Sequence, residues 1–401
     1  MNMSAIGLTT SVEALRPAPR TAARRPRLSI IAGALPPRLD GIGDHSSGLA
    51  STLAGQCEIT IYTVSGFVPA EIPDVEVVQN FQAHPRRSVT RLAAAVEAEP
   101  PDWLIVQYNP FSFGRRGFNP YLPRVLKRIK RTCPQTRLAL MAHEHYMPPI
   151  SIRYALMFLY QRWQFEAIAS LADVTLFSTG PWHDAYRRRH PDRRSCHMPV
   201  GSNVPLVAAD RQEVRRELDI AAGSIVLGAF GGSHPSRLLG HVAASARALK
   251  SAGIDVDVLS IGPAGPDLRA LICQAPVIDL GELPAPRVSR YLRAMDIFCS
   301  PYMDGISTRR GSFFAALQHG LPIVTTVGYH TDGELRALDG KALLAVAPQD
   351  PALFAEAALR LARDPALRQR LGRSAREYSE AHFSLPVLGR RWLDVLEIQC
   401  Q

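Results

Sequence analysis

SPYMDGISTRRGSFFAALQHGLPIVTT, residues 300–326, reads as the end of a strand, a polar loop, a helix and the next strand. The apolar run IFCSPY (297–302) gives way to small and charged residues. Phe313, Phe314, Ala316 and Leu317 then recur at the helical period, and Gly320 and Pro322 end the helix just ahead of PIVTT (322–326). A strand, a covering helix and a second strand in this order predict a parallel pair joined by a crossover. Working outward, the same alternation continues through IVLGAFGG (225–232), VDVLSIG (256–262), VIDLGE (277–282) and ALLAV (342–346). It also occurs upstream, in LSIIAGAL (28–35), EITIYTV (58–64), VEVVQN (75–80), WLIVQYN (103–109), LALMAHE (138–144) and VTLFST (174–179). The expected class is α/β, with two successive parallel sheets covered on both faces.

A chain of 401 residues suits two such domains. Its 46% apolar and 20% charged residues exclude a disordered or fibrous chain, and no apolar run approaches the roughly 18 residues needed to cross a bilayer. The expected organisation is a disordered basic leader at 1–27, a Rossmann-like domain at 28–205, a second at 206–383, and a C-terminal helix at 384–401 that returns to the first domain. The six cysteines are scattered without a CxxC pair, which points to a reducing cytosol.

The net charge of +10 is unevenly spread. The leader carries five arginines against one glutamate, and the stretch 114–131 is basic throughout. That stretch is either a solvated helix face or a peripheral contact to an anionic inner-membrane surface. The neighbouring YALMFLYQRW (154–163) is apolar nearly all round and reads as a buried helix. No nucleic-acid partner is expected, and the oligomeric state is not legible.

Ligands of an open parallel sheet bind beyond the carboxyl ends of its strands, so the loops there carry the chemistry. After the first strand come Gly41, Gly43, Asp44 and His45, where Asp44 reads as the helix cap and the glycines allow close backbone approach. The G-x-G spacing departs from the dinucleotide fingerprint, because the next glycine is Gly48. A later strand ends in His143, Glu144 and His145, three residues that alternate in direction on an extended chain and so do not converge on a metal. Gly231, Gly232, Ser233, His234 and Arg237 stand at a helix entrance and read as a phosphate cradle. In the opening segment, Asp304, Gly305, Ser307, Arg309, Arg310, Gly311 and Ser312 fill the loop and first helical turn. Two arginines there oppose the helix dipole, which calls for a compensating anion such as a diphosphate.

These segments, in this order, resemble the GT-B glycosyltransferases, most closely the retaining group 1 branch also called family 4. The match runs over about residues 28–385 and includes the PVGSNVP link (199–205) and the Gly320-Leu321-Pro322 turn. The resemblance implies two Rossmann-like domains facing across a cleft, an acceptor on the first and an activated sugar on the second, with no cofactor and no metal. It gives catalytic positions to His143, Asp44 and His45. Gly43, Arg237, Arg309 and Arg310, with the loop residues above, go to the donor phosphates, while Asn109, Glu144, His145 and Asn203 go to the acceptor side. One departure stands out: the branch carries two glutamates eight residues apart, the second holding the ribose, and here those positions are Ser307 and Ala315. The donor is therefore expected to be gripped by its phosphate, either as a nucleotide sugar held atypically or as a sugar phosphate without a nucleoside. The acceptor is a small molecule or glycan. A sugar-nucleotide epimerase or pseudo-glycosyltransferase on the same fold, and a non-catalytic sugar-phosphate-binding protein, are the alternatives.

Overall fold

The computed structural model describes residues 24–82, 89–149, 151–232 and 236–399. The first sheet contains β1 (Arg27–Ile31), β2 (Glu58–Val64), β3 (Val75–Phe81), β4 (Trp103–Tyr108), β5 (Arg137–Ala142), β6 (Val174–Phe177) and β7 (Ser195–His197), in the order β3-β2-β1-β4-β5-β6-β7. The second contains β8 (Ile225–Phe230), β9 (Val256–Ile261), β10 (Val277–Asp279), β11 (Ile297–Ser300), β12 (Ile323–Thr326) and β13 (Leu344–Val346), in the order β10-β9-β8-β11-β12-β13. Neighbouring strands are parallel, as β1 with β4 and β11 with β8. Every residue of β4 is buried, because helices cover both faces of the sheet.

Strand order reverses between β1 and β4 in one sheet and between β8 and β11 in the other. Loops leaving the two strands of such a pair diverge to opposite faces and leave a crevice. Of the segments singled out in the sequence, those beginning at Ala32, Asn109, Gly231 and Pro301 leave these four strands, while His143, Glu144 and His145 follow β5.

Several expectations are corrected. Residues 24–27 are not part of a leader: Arg24 pairs with Asp102 at 2.9 Å, and Arg27 opens β1 with its N–H donated to Asp102 at 2.7 Å. Residues 1–23 lie outside the described residues. β7, only three residues long, was not anticipated. The helix Ile152–Ala169 does bury Met157, Phe165 and Ile168, but its opposite side, with Ile152, Leu156, Leu159 and Trp163, is exposed. Its mixed periodicity concealed an outer face that is as apolar as the inner one. The basic helix Tyr121–Thr132 lacks internal acids, yet Arg128 meets Glu97 at 2.6 Å and Lys130 meets Asp173 at 2.8 Å from elsewhere in the chain.

The helix Leu385–Val395 lies against Gly41–Leu53, where a Cβ on Gly389 would stand 2.6 Å from Thr52. Just beyond it, Leu396 accepts the Trp103 indole N–H at 2.9 Å, and Glu397 binds Arg137 and Arg194.

Candidate functional site

In the first lobe, Asp40 rather than Asp44 caps the helix Gly41–Leu53, accepting from the N–H groups of Ile42 and Gly43 at 2.8 and 3.0 Å. Asp40 is the residue with extended backbone immediately before the helix, as a cap must be. Asp44 is thereby freed from capping, and it accepts from Asn203 Nδ2 at 2.8 Å. Burial, against the opposing Asn203 bond and with help from Asp40, pushes the Asp44 carboxyl up to about 6. A Cβ on Gly43 would collide with the Ala34 carbonyl at 2.1 Å, so the loop folds back on the helix start only with glycine there.

His45 holds the Val200 carbonyl through Nδ1 at 3.1 Å. A carbonyl only accepts, so Nδ1 carries the proton and Nε2 presents a lone pair, buried and unpartnered among the described residues. His143 meets Gln107 Oε1 through Nε2 at 2.7 Å, and the two rings stand edge to face at 5.0 Å. Burial pushes His45 down to about 4, and burial followed by His45 itself holds His143 well below its ordinary value, so both rings are neutral.

The three residues after β5 diverge. His143 turns toward His45, Glu144 crosses to the second lobe, and His145 stacks among Tyr146, Trp182 and Phe165 at 4.0, 4.5 and 5.8 Å. Burial chiefly lowers His145 to about 3. Asn109 spends its Oδ1 as the cap on Phe111 N.

In the second lobe, both arginines are largely withdrawn from solvent. Arg309 reaches Glu144 at 2.9 Å and Asp304 at 3.1 Å, while Arg310 reaches Asp304 at 3.0 Å and Ser236 at 3.1 Å. Their planes lie over Trp182 and Tyr302, at 5.0 and 4.1 Å. Burial alone would raise Asp304; the His330 ring 3.7 Å away and the charges of Arg310 and Arg309 outweigh it and keep the carboxylate ionised. The anion demanded by adjacent arginines at a helix start is thus supplied here by two carboxylates, one from each lobe.

Gly231, at φ +128, lies against Ser312: a Cβ there would sit 3.1 Å from its hydroxyl. The cradle and the helix Gly311–Gln318 therefore meet, and that helix has no side-chain cap, which leaves its first N–H groups for a ligand. Arg237 turns back on its own loop, donating to the carbonyls of Gly231 and Gly232 at 2.9 and 3.3 Å, so it fastens the cradle. Gly305, at φ +82, is packed so tightly on Gly328 that no side chain fits. Gly311 faces Asn203 Oδ1 across the seam. Ser307 is fully buried, with a hydroxyl unpartnered among the described residues. Ser233 and His234 lie outside the described residues.

Sequence reasoning missed the seam that joins the lobes. Thr308 donates its hydroxyl to the Ser178 carbonyl at 2.7 Å, meets His197 Nε2 at 2.7 Å, and accepts at its own carbonyl from Val200 N. Asp332 accepts from Thr308 N at 2.7 Å and from Gly180 N at 2.6 Å. Trp182 and His330 complete the wall beside Arg309. Ser178, Gly180 and Trp182 follow the carboxyl end of β6, and His330 and Asp332 that of β12, whereas Thr308 follows β11 and His197 ends β7.

Residues 225–364 match the family model described as Glycosyl transferases group 1. They form a group 1 glycosyltransferase domain. No curated protein sequence matches the chain. Among solved structures, sucrose-phosphate synthase from Thermosynechococcus elongatus superposes with a TM-score of 0.73 at 18% identity, covering 93% of this chain and 98% of that one. HepE from Anabaena, solved with UDP and glucose, gives 0.66 at 14% identity, covering 93% and 99%. WaaG, a glycosyltransferase involved in lipopolysaccharide biosynthesis, gives 0.67 at 15%, covering 92% and 99%. The likeness shows the GT-B fold over nearly the whole chain, and the family match lies within its second lobe.

Proposed function

We propose that the chain transfers a glycosyl group, with retention, from a phosphate-activated donor seated on the second lobe to an acceptor hydroxyl held by the first. The observation that carries this reading is the Arg309–Arg310 pair, buried at the lobe junction beside the Gly231–Ser312 contact. On donor binding the diphosphate takes the place of Glu144 as the partner of Arg309, and the guanidinium forks stabilise charge as the glycosidic bond breaks. Neutral His143 offers a ring at the cleft floor without adding charge. Asp44 accepts the hydrogen bond of the incoming hydroxyl, whose proton passes to the leaving phosphate oxygen.

HepE has been solved with UDP-glucose, which favours a nucleoside diphosphate as leaving group here too. Ala315, fully buried where the resembled branch has its ribose-holding glutamate, weakens the grip on the nucleoside and leaves the phosphates dominant. A melting-temperature panel of nucleotides, nucleotide sugars and sugar phosphates tests this. A ligand at a hundredfold excess over Kd stabilises by about 2.7 kcal/mol, a clear upward shift. If phosphate-bearing compounds produce no shift and none co-purifies by mass spectrometry, the reading fails.

Asp44 gives a pH prediction. Its active form is the carboxylate, so turnover is expected to fall as pH drops through about 6. Asp44→Asn loses that limb and about ten- to a hundredfold of rate, one charge-assisted hydrogen bond at about 1.5–3 kcal/mol. Stability moves the opposite way. A raised carboxyl pKa contributes stability that is present below 3.8 and lost as pH rises through about 6. Asp44→Asn therefore melts above the parent at alkaline pH, and the gap closes in acid.

A further inference from the structure

The outer face of the helix Ile152–Ala169 is the part of the molecule that glycosyl transfer does not use. Ile152, Leu156, Leu159 and Trp163 are 86%, 62%, 63% and 52% exposed. At 100° per residue they fall within an arc of about 60°, so they form one straight apolar crest about 16 Å long. A soluble surface seldom leaves such a stripe bare without a use for it.

The crest is bordered by positive charge. Arg153 and Arg162, both exposed, flank it on either side. Arg115 and Arg116, also exposed, lie beside its middle, where the Arg116 carbonyl accepts from Tyr160 and Gln161 of the same helix. The adjoining helix Tyr121–Thr132 presents Arg124, Lys127 and Arg131 on the same side of the sheet. The helix's only acid, Glu166, is engaged by Arg189, His190 and Arg193. Among the described residues, Arg115, Arg116, Arg153 and Arg162 make no ion pair with a carboxylate.

We infer that this face docks on an anionic lipid bilayer, with the crest at the headgroup boundary and the arginines on lipid phosphates. A convex apolar ridge suits a deformable fluid surface, with Trp163 and Tyr160 as amphipathic rings at the interface. A peptide partner would need a groove instead. A second copy of the chain is disfavoured because two-fold pairing of this face sets one arginine border against another. The helix begins just after the His143–His145 turn, so docking brings the acceptor side of the cleft to the bilayer. Where the transfer reaction above holds, the acceptor is membrane-borne.

Co-sedimentation of the whole chain with phosphatidylcholine vesicles, with and without phosphatidylglycerol, tests the docking without reference to activity. The protein is expected to pellet with the anionic vesicles, to be released by salt, and to show a blue-shifted tryptophan emission. Leu156→Glu with Trp163→Glu, both exposed and outside the cleft, is expected to lower the partition about tenfold or more with the melting temperature unchanged. Arg153→Glu with Arg162→Glu is expected to remove mainly the salt-sensitive part. The inference is overturned if the parent stays in the supernatant with both vesicles, if the Leu156/Trp163 variant pellets as well as the parent, or if gel filtration shows a parental dimer that the same variant dissolves.

Discussion

Replacing Arg309 and Arg310 together by alanine is expected to lower kcat/KM for glycosyl transfer by about 10²- to 10⁴-fold. Two charge-assisted hydrogen bonds to a leaving diphosphate are worth about 1.5–3 kcal/mol each, or about 3–6 kcal/mol together, and each 1.36 kcal/mol is tenfold in rate. The substitution also strips Asp304 of its guanidinium partners while that carboxylate is only 5% exposed, so part of the loss can arise from unfolding. Adding Asp304→Asn to the double variant removes the orphaned charge and separates the two effects. The triple variant is expected to melt near the parent and to remain inactive; wild-type turnover in a folded triple variant would falsify the role of the pair. The single Arg309→Lys change keeps charge but loses the fork that spans Glu144 and Asp304, and a partial loss, mostly in donor KM, is the expected result.

The strands were legible because parallel sheets covered on both faces demand continuous apolar runs, and runs such as LALMA and IVLGAF have few other uses. Their strand-end loops followed from topology, and that is why Asp44, His143 and Arg309 could be named before any contact was known. What the loops do with each side chain was much less legible. Asp40 and Asp44 are both plausible caps by residue type, and the choice depends on which of them has extended backbone at the helix entrance. Arg237 looks like a phosphate ligand until the carbonyls of Gly231 and Gly232 are seen to occupy it. The counter-charges of Arg309 lie 165 and 5 residues away, and sequence proximity suggests only the nearer one. In the helix Ile152–Ala169 two apolar faces share one segment, and composition cannot say which of them meets the core.

The seam shows the same limit most clearly, because Asp332 has no local signature beyond a turn. It is 2% exposed, and although it stands as the cap of the short helix Gly333–Arg336, its side chain makes no capping bond there. Both carboxylate oxygens are spent instead on Gly180 N in the first lobe and Thr308 N in the second. Thr308 gives its hydroxyl proton to the Ser178 carbonyl, so it accepts from His197 Nε2–H, and that ring is 3.6 Å from Asp332. Burial lowers the pKa of His197 and the Asp332 charge works against that shift, which ties the ring to the carboxylate. Asp332→Ala leaves the buried Thr308 N–H and the half-buried Gly180 N–H without acceptors; at about 1–3 kcal/mol for the first and less for the second, a total loss of about 2–4 kcal/mol is expected. Because the lost bonds join the lobes and not the interior of either sheet, calorimetry is expected to resolve one transition into two, with donor KM rising more than kcat falls. Asp332→Asn keeps the shape but turns an amide N–H₂ toward one of the two donors, so it is expected to recover less than half of the loss. A single unchanged transition in Asp332→Ala would mean that other contacts, such as the helix Leu385–Val395 folded back on the first lobe, hold the two halves together without this carboxylate.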